Sequence, residues 1–178
     1  MTIFEHSFTL IGLVLGLALA DVLGGLVRTV RARGVRALGL LTPMLAVFVV
    51  ADVTTFWGIV WGMRATLPES IWPVLGFGIL LSAMYYSAAA LVFPDSQERW
   101  PDLDSYYMKH RRIVFGLMLL CFIMVLALWR ALDRSFSPDA VAIAYTVFLA
   151  LTLLAPWKWA NILGLGILIV VDIWAFFP

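Results

Sequence analysis

The sequence predicts an all-α integral membrane protein, a bundle of six transmembrane helices with both termini on the outer, periplasmic side. Three observations support this fold class. The 178-residue chain is 63% hydrophobic and 13% charged, whereas an ordinary soluble domain has roughly 45–50% apolar and about 25% charged residues. Six apolar runs approach the ~20 residues that a helix needs to cross a bilayer. The basic residues between these runs fall mostly on one side.

The first three spans cover approximately residues 4–27, 38–63 and 71–93. The first span is predominantly apolar and ends just before Arg28. Pro68 follows the second span, and Pro73 lies in the first turn of the third. Proline is tolerated best at helix ends, where its missing N–H costs no hydrogen bond. Both prolines therefore favour helix boundaries at these positions.

The last three spans cover approximately residues 113–129, 140–155 and 161–177, and all six form one domain, residues 1–178. Asp102 is a candidate cap for a helix that runs into the fourth span. Ser137, Pro138 and Asp139 offer a cap, a proline at the first helical position and an acid in the first turn of the fifth. Pro156 separates the fifth span from the sixth.

The distribution of Lys and Arg predicts the orientation of the bundle. Nine of the 12 basic residues lie in the first, third and fifth connections, and three lie on the opposite side. Cytoplasmic loops carry an excess of Lys and Arg, so the first, third and fifth connections face the cytoplasm. Both termini then face the outside, and we expect the protein in a bacterial-type inner membrane.

The first span also contains a small-x-small triplet at residues 18–20, which raises a second interpretation. In that interpretation signal peptidase removes the stretch, and Asp21 is the first mature residue. A signal peptide has basic residues before its apolar stretch. Here Glu5 and His6 precede the stretch and the basic residues follow it. Because this polarity is reversed, we predict an uncleaved helix that keeps Asp21 within the membrane.

Three carboxylates lie within the predicted spans: Asp21, Asp52 and Asp172. A rise of about 1.5 Å per residue places Asp21 in the cytoplasmic half and the other two in the outer half. An acid at a helix centre costs about 2.5–3.5 kcal/mol on insertion scales, and no Lys or Arg lies deep enough to neutralise Asp52 or Asp172. Each must be protonated, hydrogen-bonded, hydrated or bound to a cation. The structural interpretation is a protonated aspartate that bonds a neighbouring helix.

The functional interpretation uses other polar groups at the same depths. Beside Asp52 and Asp172 lie Glu5, His6, Thr55 and Tyr145, and beside Asp21 lie Ser82, Tyr86 and Asn161. A chain of acids and hydroxyls can relay protons or pass a small cation. The sequence therefore favours a small proton or cation channel or transporter. Its expected transport residues are Asp21, Asp52, Asp172, Glu5, His6 and Tyr145.

A stripe of small residues follows the first span. Gly12, Gly16, Ala20 and Gly24 recur every four residues, and such a stripe lets another helix approach closely. We expect this stripe to be a helix-packing face inside the bundle. The alternative partner is a second copy of the chain or another membrane protein. That alternative corresponds to a second functional class, a non-catalytic accessory or assembly subunit of a larger membrane complex.

The longest connection, residues 95–112, places Lys109, Arg111 and Arg112 next to the fourth span. We expect these side chains to bind anionic lipid headgroups on the cytoplasmic side of the bilayer. A catalytic or metal site in this connection is the alternative, but the sequence contains no nucleophile elbow, HExxH motif or glycine-rich phosphate loop. We therefore predict no enzyme activity, cofactor or metal. The net charge of +1 gives no reason to expect a nucleic-acid partner.

Overall fold

The structure is a computed structural model that describes residues 3–31, 39–65, 71–95, 102–133 and 135–175. The described residues form six α-helices and one short 3₁₀ helix, with no β-strand among them. The helices are α1 (Ile3–Arg31), α2 (Leu41–Gly62), α3 (Ile71–Ala90), α4 (Leu103–Leu132), α5 (Ala140–Leu154) and α6 (Lys158–Trp174), and the 3₁₀ helix Met63–Ala65 follows α2. The prediction of an all-α chain is confirmed.

The six helices form a ring with a filled centre. α1 packs against α2 and α3, α4 packs against α3 and α5, and α6 packs against α5 and α2. α2 also contacts α4 across the ring. Phe48 of α2 and Phe115 of α4 meet there with ring centroids 5.8 Å apart, and both side chains are fully buried. The core therefore centres on α2 and α4.

The bundle has two ends that differ in their contacts. At one of them, named here the Asp104 end, the first residues of α2, α4 and α6 meet. Leu41 N–H donates to Asp104 Oδ1 at 3.1 Å, and Lys158 Nζ lies 3.9 Å from Asp104 Oδ2. The opposite end, named the Asp139 end, holds the start of α5 and the last residues of α6.

In the part of the chain that the structure describes, four helical segments are long and apolar enough to cross a membrane: Glu5–Arg31, Leu41–Gly62, Pro73–Ala90 and Leu103–Leu132. α5 is apolar as well but has 15 residues, a length of about 22 Å against a hydrocarbon core of about 30 Å. Large apolar side chains such as Leu13, Ile113 and Val170 are exposed on the outside of the ring. Extended apolar surface of this kind supports integration into a membrane.

Side-chain caps begin α4 and α5. Asp102 accepts a hydrogen bond from Ser105 N–H at 2.6 Å, which confirms it as the cap of a helix that runs into the fourth span. That helix is longer than the predicted span of residues 113–129. In α5 the expectation of Ser137 as the cap is wrong. Asp139 has extended backbone and accepts from Ala142 N–H at 2.7 Å, so Asp139 itself is the N-cap.

The small-residue stripe of α1 is divided between half-buried and exposed positions: Gly12 and Gly24 are half-buried, and a Cβ built on Gly12 would lie 3.6 Å from Trp57 Nε1 of α2. Ile11, Leu15 and Ala18 are buried in the core, whereas Gly16 and Ala20 are exposed. A Cβ built on Gly16 would meet no neighbouring atom of the described structure within 4 Å. The expectation of internal packing is therefore wrong at these two positions, because α1 buries the adjacent, bulkier face.

Candidate functional site

Asp52 of α2 and Tyr145 of α5 form a buried hydrogen-bonded pair. The Tyr145 hydroxyl donates to Asp52 Oδ1, and the two residues are 4% (Tyr145) and 5% (Asp52) exposed. Asp52 lies on the inward face of α2, where Phe48 and Phe56 are buried one turn away on either side. The ring of Phe122 on α4 packs against Tyr145 at a centroid distance of 4.7 Å. This packing holds the tyrosine hydroxyl at the carboxylate.

Asp172 joins Asp52 because α6 packs against α2. Asp172 is 2% exposed, lines the same cavity as Asp52 and interacts with it electrostatically. Tyr85 of α3 is also buried and approaches Asp52. The fold thus brings four titratable side chains from α2, α3, α5 and α6 to one place. Asp52 and Asp172 are called the carboxylate pair below.

Three oxygen atoms at this place are available to a ligand. Asp52 Oδ2, Asp172 Oδ2 and Thr55 Oγ1 are buried and have no hydrogen-bond partner among the described residues. The three residues line a cavity of about 160 Å³. Asp139 and Ala175, which lie at helix ends, also line this cavity. The cavity therefore extends from the carboxylate pair to the Asp139 end of the bundle.

Among the described residues no Lys or Arg balances the charge of the carboxylate pair. Neither Asp52 nor Asp172 forms an ion pair with any Lys or Arg in the part of the chain that the structure describes. An unpaired carboxylate is costly to bury, and two neighbouring carboxylates repel each other. The pair is therefore stable when it takes up a proton or binds a cation. Exchange between these two occupants is the chemistry that the site offers.

The structure brings together three of the six residues that the sequence analysis expects to carry protons or cations. Asp52, Asp172 and Tyr145 line the cavity. The other three lie on α1 and do not line it: Glu5, His6 and Asp21. Glu5 and His6 are exposed, and Asp21 is half-buried. Fewer polar residues therefore meet in the fold than their depth alone predicts, because depth does not indicate which face of a helix points inward.

Tyr85 is the residue at the site that the sequence analysis does not identify. Its neighbour Tyr86 has almost the same depth and is named instead, but Tyr86 is 44% exposed. A signal for Tyr85 exists in the spacing of α3. Leu81, Tyr85 and Ala88 follow one another at intervals of four and three residues and are all buried. Such spacing is typical of one inward helix face.

A second polar cluster lies at the Asp104 end. Arg111 is 3% exposed, and its Nη1 donates to the carbonyls of Thr152 and Leu153 at 2.9 and 3.0 Å. The Tyr107 hydroxyl donates to Asn161 Oδ1 at 2.8 Å. Asn161 Nδ2 donates to the carbonyls of residues 155 and 157 at 3.0 and 2.8 Å. These bonds tie α4 to the turn between α5 and α6.

Arg111 therefore occupies a different place from the one that the sequence predicts. The expectation that it contacts lipid headgroups is not met, because the side chain is buried and its guanidinium binds carbonyls at the end of α5. Such carbonyls have no partner within their own helix and accept readily from another group. Lys109 and Arg112 on the same helix are exposed, so the headgroup prediction is retained for these two.

Comparison with known proteins gives no match for this chain. No family model, no curated protein and no solved structure matches it. The cavity and the residues around it are therefore the basis for assigning a function.

Proposed function

We propose that the protein is a small membrane transporter or channel in which Asp52 and Asp172 carry protons or a small cation. The observation that carries the proposal is a pair of buried carboxylates, each with a free oxygen, in a cavity that reaches one end of the bundle. An aspartate that serves only as structural glue uses its oxygens to bond neighbouring helices. One oxygen of each carboxylate has no such partner among the described residues.

The difference between the two ends supports a transport mechanism. The cavity reaches the Asp139 end, whereas Tyr107, Arg111 and Asn161 bond the helices together at the Asp104 end. In the proposed mechanism the carboxylate pair loads a proton or cation from the Asp139 end. Separation of the Arg111 and Asn161 contacts then opens the other side, and the ion leaves there. A site exposed to one side at a time is the requirement for alternating access.

We further propose six membrane spans in a bacterial-type inner membrane, with both termini and the Asp139 end outside. The excess of basic residues in the first, third and fifth connections supports this orientation. A fusion of alkaline phosphatase to the C-terminus is expected to be active, and a fusion of green fluorescent protein to remain dark. A fluorescent and phosphatase-inactive C-terminus would contradict the orientation.

The transport proposal is tested with purified protein in liposomes that contain a pH-sensitive dye. A potassium gradient with valinomycin supplies the membrane potential that drives proton uptake. Wild-type protein is compared with Asp52→Asn and Asp172→Asn, which keep the size of each side chain and remove its charge. Asp21→Asn is the matched control, because it changes an aspartate of a long apolar helix that does not line the cavity.

Wild-type protein and Asp21→Asn are expected to conduct protons. Asp52→Asn and Asp172→Asn are expected to fall to the level of empty liposomes while the circular dichroism spectrum of each variant stays helical. Full flux in both cavity variants, or equal loss in Asp21→Asn, would reject the carboxylate pair as the transport site.

A second candidate function is that of an accessory subunit, and the exposed stripe on α1 favours it. Gly16 and Ala20 lie at the surface, and space at Gly16 is open. A helix of a partner protein can approach closely at such a stripe. Gly16→Leu is then expected to release a copurifying membrane partner in mild detergent. Unchanged copurification with Gly16→Leu would count against this face.

A further inference from the structure

A second cavity lies beside the carboxylate pair. It has a volume of about 190 Å³ and is lined by residues of α1, α2, α3 and α4 near the Asp139 end. Apolar side chains such as Ile11, Phe77 and Leu128 form its walls, and Ser7 is the single polar side chain among the described residues that line it. This apolar cavity differs in its lining from the cavity of about 160 Å³ that contains Asp52, Asp172 and Thr55, which is called the acidic cavity below.

The two cavities are neighbours. Phe56 and Val125 line both of them. Asp52 and Asp172 line the cavity on one side of this shared wall, and the lining on the other side is mainly apolar. A ligand that filled both would place one end against carboxylates and the other end in apolar surroundings.

Aromatic rings stand next to the carboxylate pair. The Phe56 and Tyr85 rings lie 4.7 Å apart between centroids, and the Phe122 and Tyr145 rings also lie 4.7 Å apart. All four residues line the acidic cavity. Aromatic faces attract organic cations, and quaternary ammonium ligands are often held in this way. The walls therefore suit a cation whose charge is spread over carbon-bound groups.

The acidic cavity offers too few oxygen ligands to suit a metal ion. Calcium takes about 6–8 oxygen ligands and magnesium demands octahedral geometry, whereas the acidic cavity offers the three free oxygens described above. Among the described residues no group of three or more His, Cys, Asp or Glu is placed to hold a metal ion. An organic cation needs fewer oxygens because its own carbon groups contact the apolar walls.

We propose that the two cavities together bind a lipophilic organic monocation, with its charge at the carboxylate pair and its apolar group in the second cavity. This inference rests on the proposed function and names the substrate class of the same site. Binding exchanges one cation for one proton. The proton leaves Asp52 or Asp172 for the solution at the Asp139 end as the cation enters, so the charge within the cavity stays the same.

Binding of the cation weakens as the pH falls, because protons compete for the same pair. Among the described residues, the other titratable groups near the pair are Tyr85 of α3, Cys121 of α4 and Tyr145 of α5, and Asp139, the N-cap of α5, lines the same cavity. The tyrosines and the cysteine are neutral when protonated and do not compete for a cation. Asp139 lies at the helix start, where it caps α5, and its charge favours entry of cations.

The test measures binding of radiolabelled tetraphenylphosphonium to the full chain in lipid nanodiscs by equilibrium dialysis, with empty nanodiscs subtracted. Tetraphenylborate has the same shape and the opposite charge, so it is the control for partition into lipid or into the apolar cavity alone. Val74→Phe places a ring in the apolar cavity. Ile79→Phe places the same ring on an exposed position of the same helix and is the matched control.

Wild-type protein and Ile79→Phe are expected to bind tetraphenylphosphonium and to release protons on binding, with lower affinity at acid pH. Val74→Phe is expected to weaken binding by roughly tenfold or more, and Asp52→Asn and Asp172→Asn to lose it. Equal binding of tetraphenylborate, unchanged binding in Val74→Phe, or no binding to wild-type protein would overturn the inference.

Proton flux of the wild-type protein in liposomes without tetraphenylphosphonium is measured separately. Flux without tetraphenylphosphonium binding would overturn the substrate class and leave the proposed function standing. Binding with the expected dependence on charge and pH, but without proton flux, would support the ligand class and contradict the proposed function.

Discussion

Asp52 has two carboxylate oxygens in different situations. Oδ1 accepts the hydrogen bond from Tyr145, and Oδ2 has no partner among the described residues. The first contact fixes the position of the side chain, and the second oxygen stays available to a proton or cation. In the proposed function this unbonded oxygen is the atom that takes up the proton or cation.

The Tyr145 hydroxyl is expected to stabilise the fold through Asp52. Tyr145→Phe removes the donor and leaves Oδ1 unpaired in a buried site, which lowers the free energy of unfolding by roughly 1–3 kcal/mol. Thermal unfolding in detergent measures the change. Tyr86→Phe is the control, because that side chain is 44% exposed, and it should unfold like the wild type. Equal stability of both variants would show that the bond to Asp52 contributes nothing.

Part of the site can be predicted from the sequence at this scale. Counting residues from the basic connections gives the depth of Asp52, Asp172 and Tyr145, and these three do meet. Depth does not give the direction of a side chain around its helix. For that reason Tyr85 is missed, and Arg111 is placed in the headgroups although it binds the carbonyls of a helix that is distant in sequence.

At the scale of elements, the helices follow from local signals. Apolar runs give all six, and Asp102 and Asp139 supply the caps of α4 and α5. The start of α5 differs from the prediction because Ser and Asp are both good caps and the sequence offers one of each within three residues. The hydrogen bond from Leu41 N–H at the start of α2 to Asp104 of α4 could not be predicted, because Asp104 binds the start of a helix other than its own.

Gly39 is expected to be required for this hydrogen bond. It has a φ of 62°, and a Cβ there would collide with the Asp104 carboxylate that binds the start of α2. Gly39→Ala should lower the free energy of unfolding by about 1–3 kcal/mol from the backbone conformation alone. Gly76→Ala is the control, because no neighbouring described atom lies within 4 Å of a Cβ at that position. Equal free energies of unfolding for Gly39→Ala and Gly76→Ala would contradict this role.

The cap of α4 is expected to give an acid-sensitive contribution to stability. Hydrogen bonds from Ser105 hold the pKa of Asp102 below its ordinary value. A group with a lowered folded pKa stabilises the fold above its unfolded pKa, and the contribution disappears as the pH falls through the folded pKa. Asp102→Ala should cost about 1 kcal/mol at neutral pH.

Unfolding measured at neutral and acid pH tests this contribution of Asp102. Asp102→Asn is the control, because Asn also caps helices but does not titrate. Its stability should match the wild type at neutral pH and lose less on acidification. An identical acid dependence in wild type and Asp102→Asn would exclude Asp102 as its source.

At the scale of the whole molecule, the two ends of the bundle differ, because the cavity reaches the Asp139 end and interhelical hydrogen bonds lie at the Asp104 end. The acidic cavity reaches the first, and Tyr107, Arg111 and Asn161 tie α4 to the turn between α5 and α6 at the second. The arrangement of the six helices in a ring was not predictable, because apolar runs of similar composition do not specify which of them become neighbours.

The Asp104 end is expected to depend on Arg111. Arg111→Met removes charge-assisted hydrogen bonds to buried carbonyls, each of which contributes about 1.5–3 kcal/mol. Arg112→Met is the matched control, because Arg112 is the exposed neighbour on the same helix, and it should stay within about 0.5 kcal/mol of the wild type. Thermal unfolding measures the stability of the two variants. Equal stability would contradict the role of Arg111 in holding α4 to the end of α5.

In the proposed function, Asp52 and Asp172 act together as one proton or cation site. Potential-driven proton flux into liposomes tests it most directly when the two single Asn variants are compared with the double variant. We expect the same residual flux, that of empty liposomes, in all three variants, because loss of either carboxylate disables the pair. Wild-type flux in either single variant, in folded and correctly inserted protein, would contradict it.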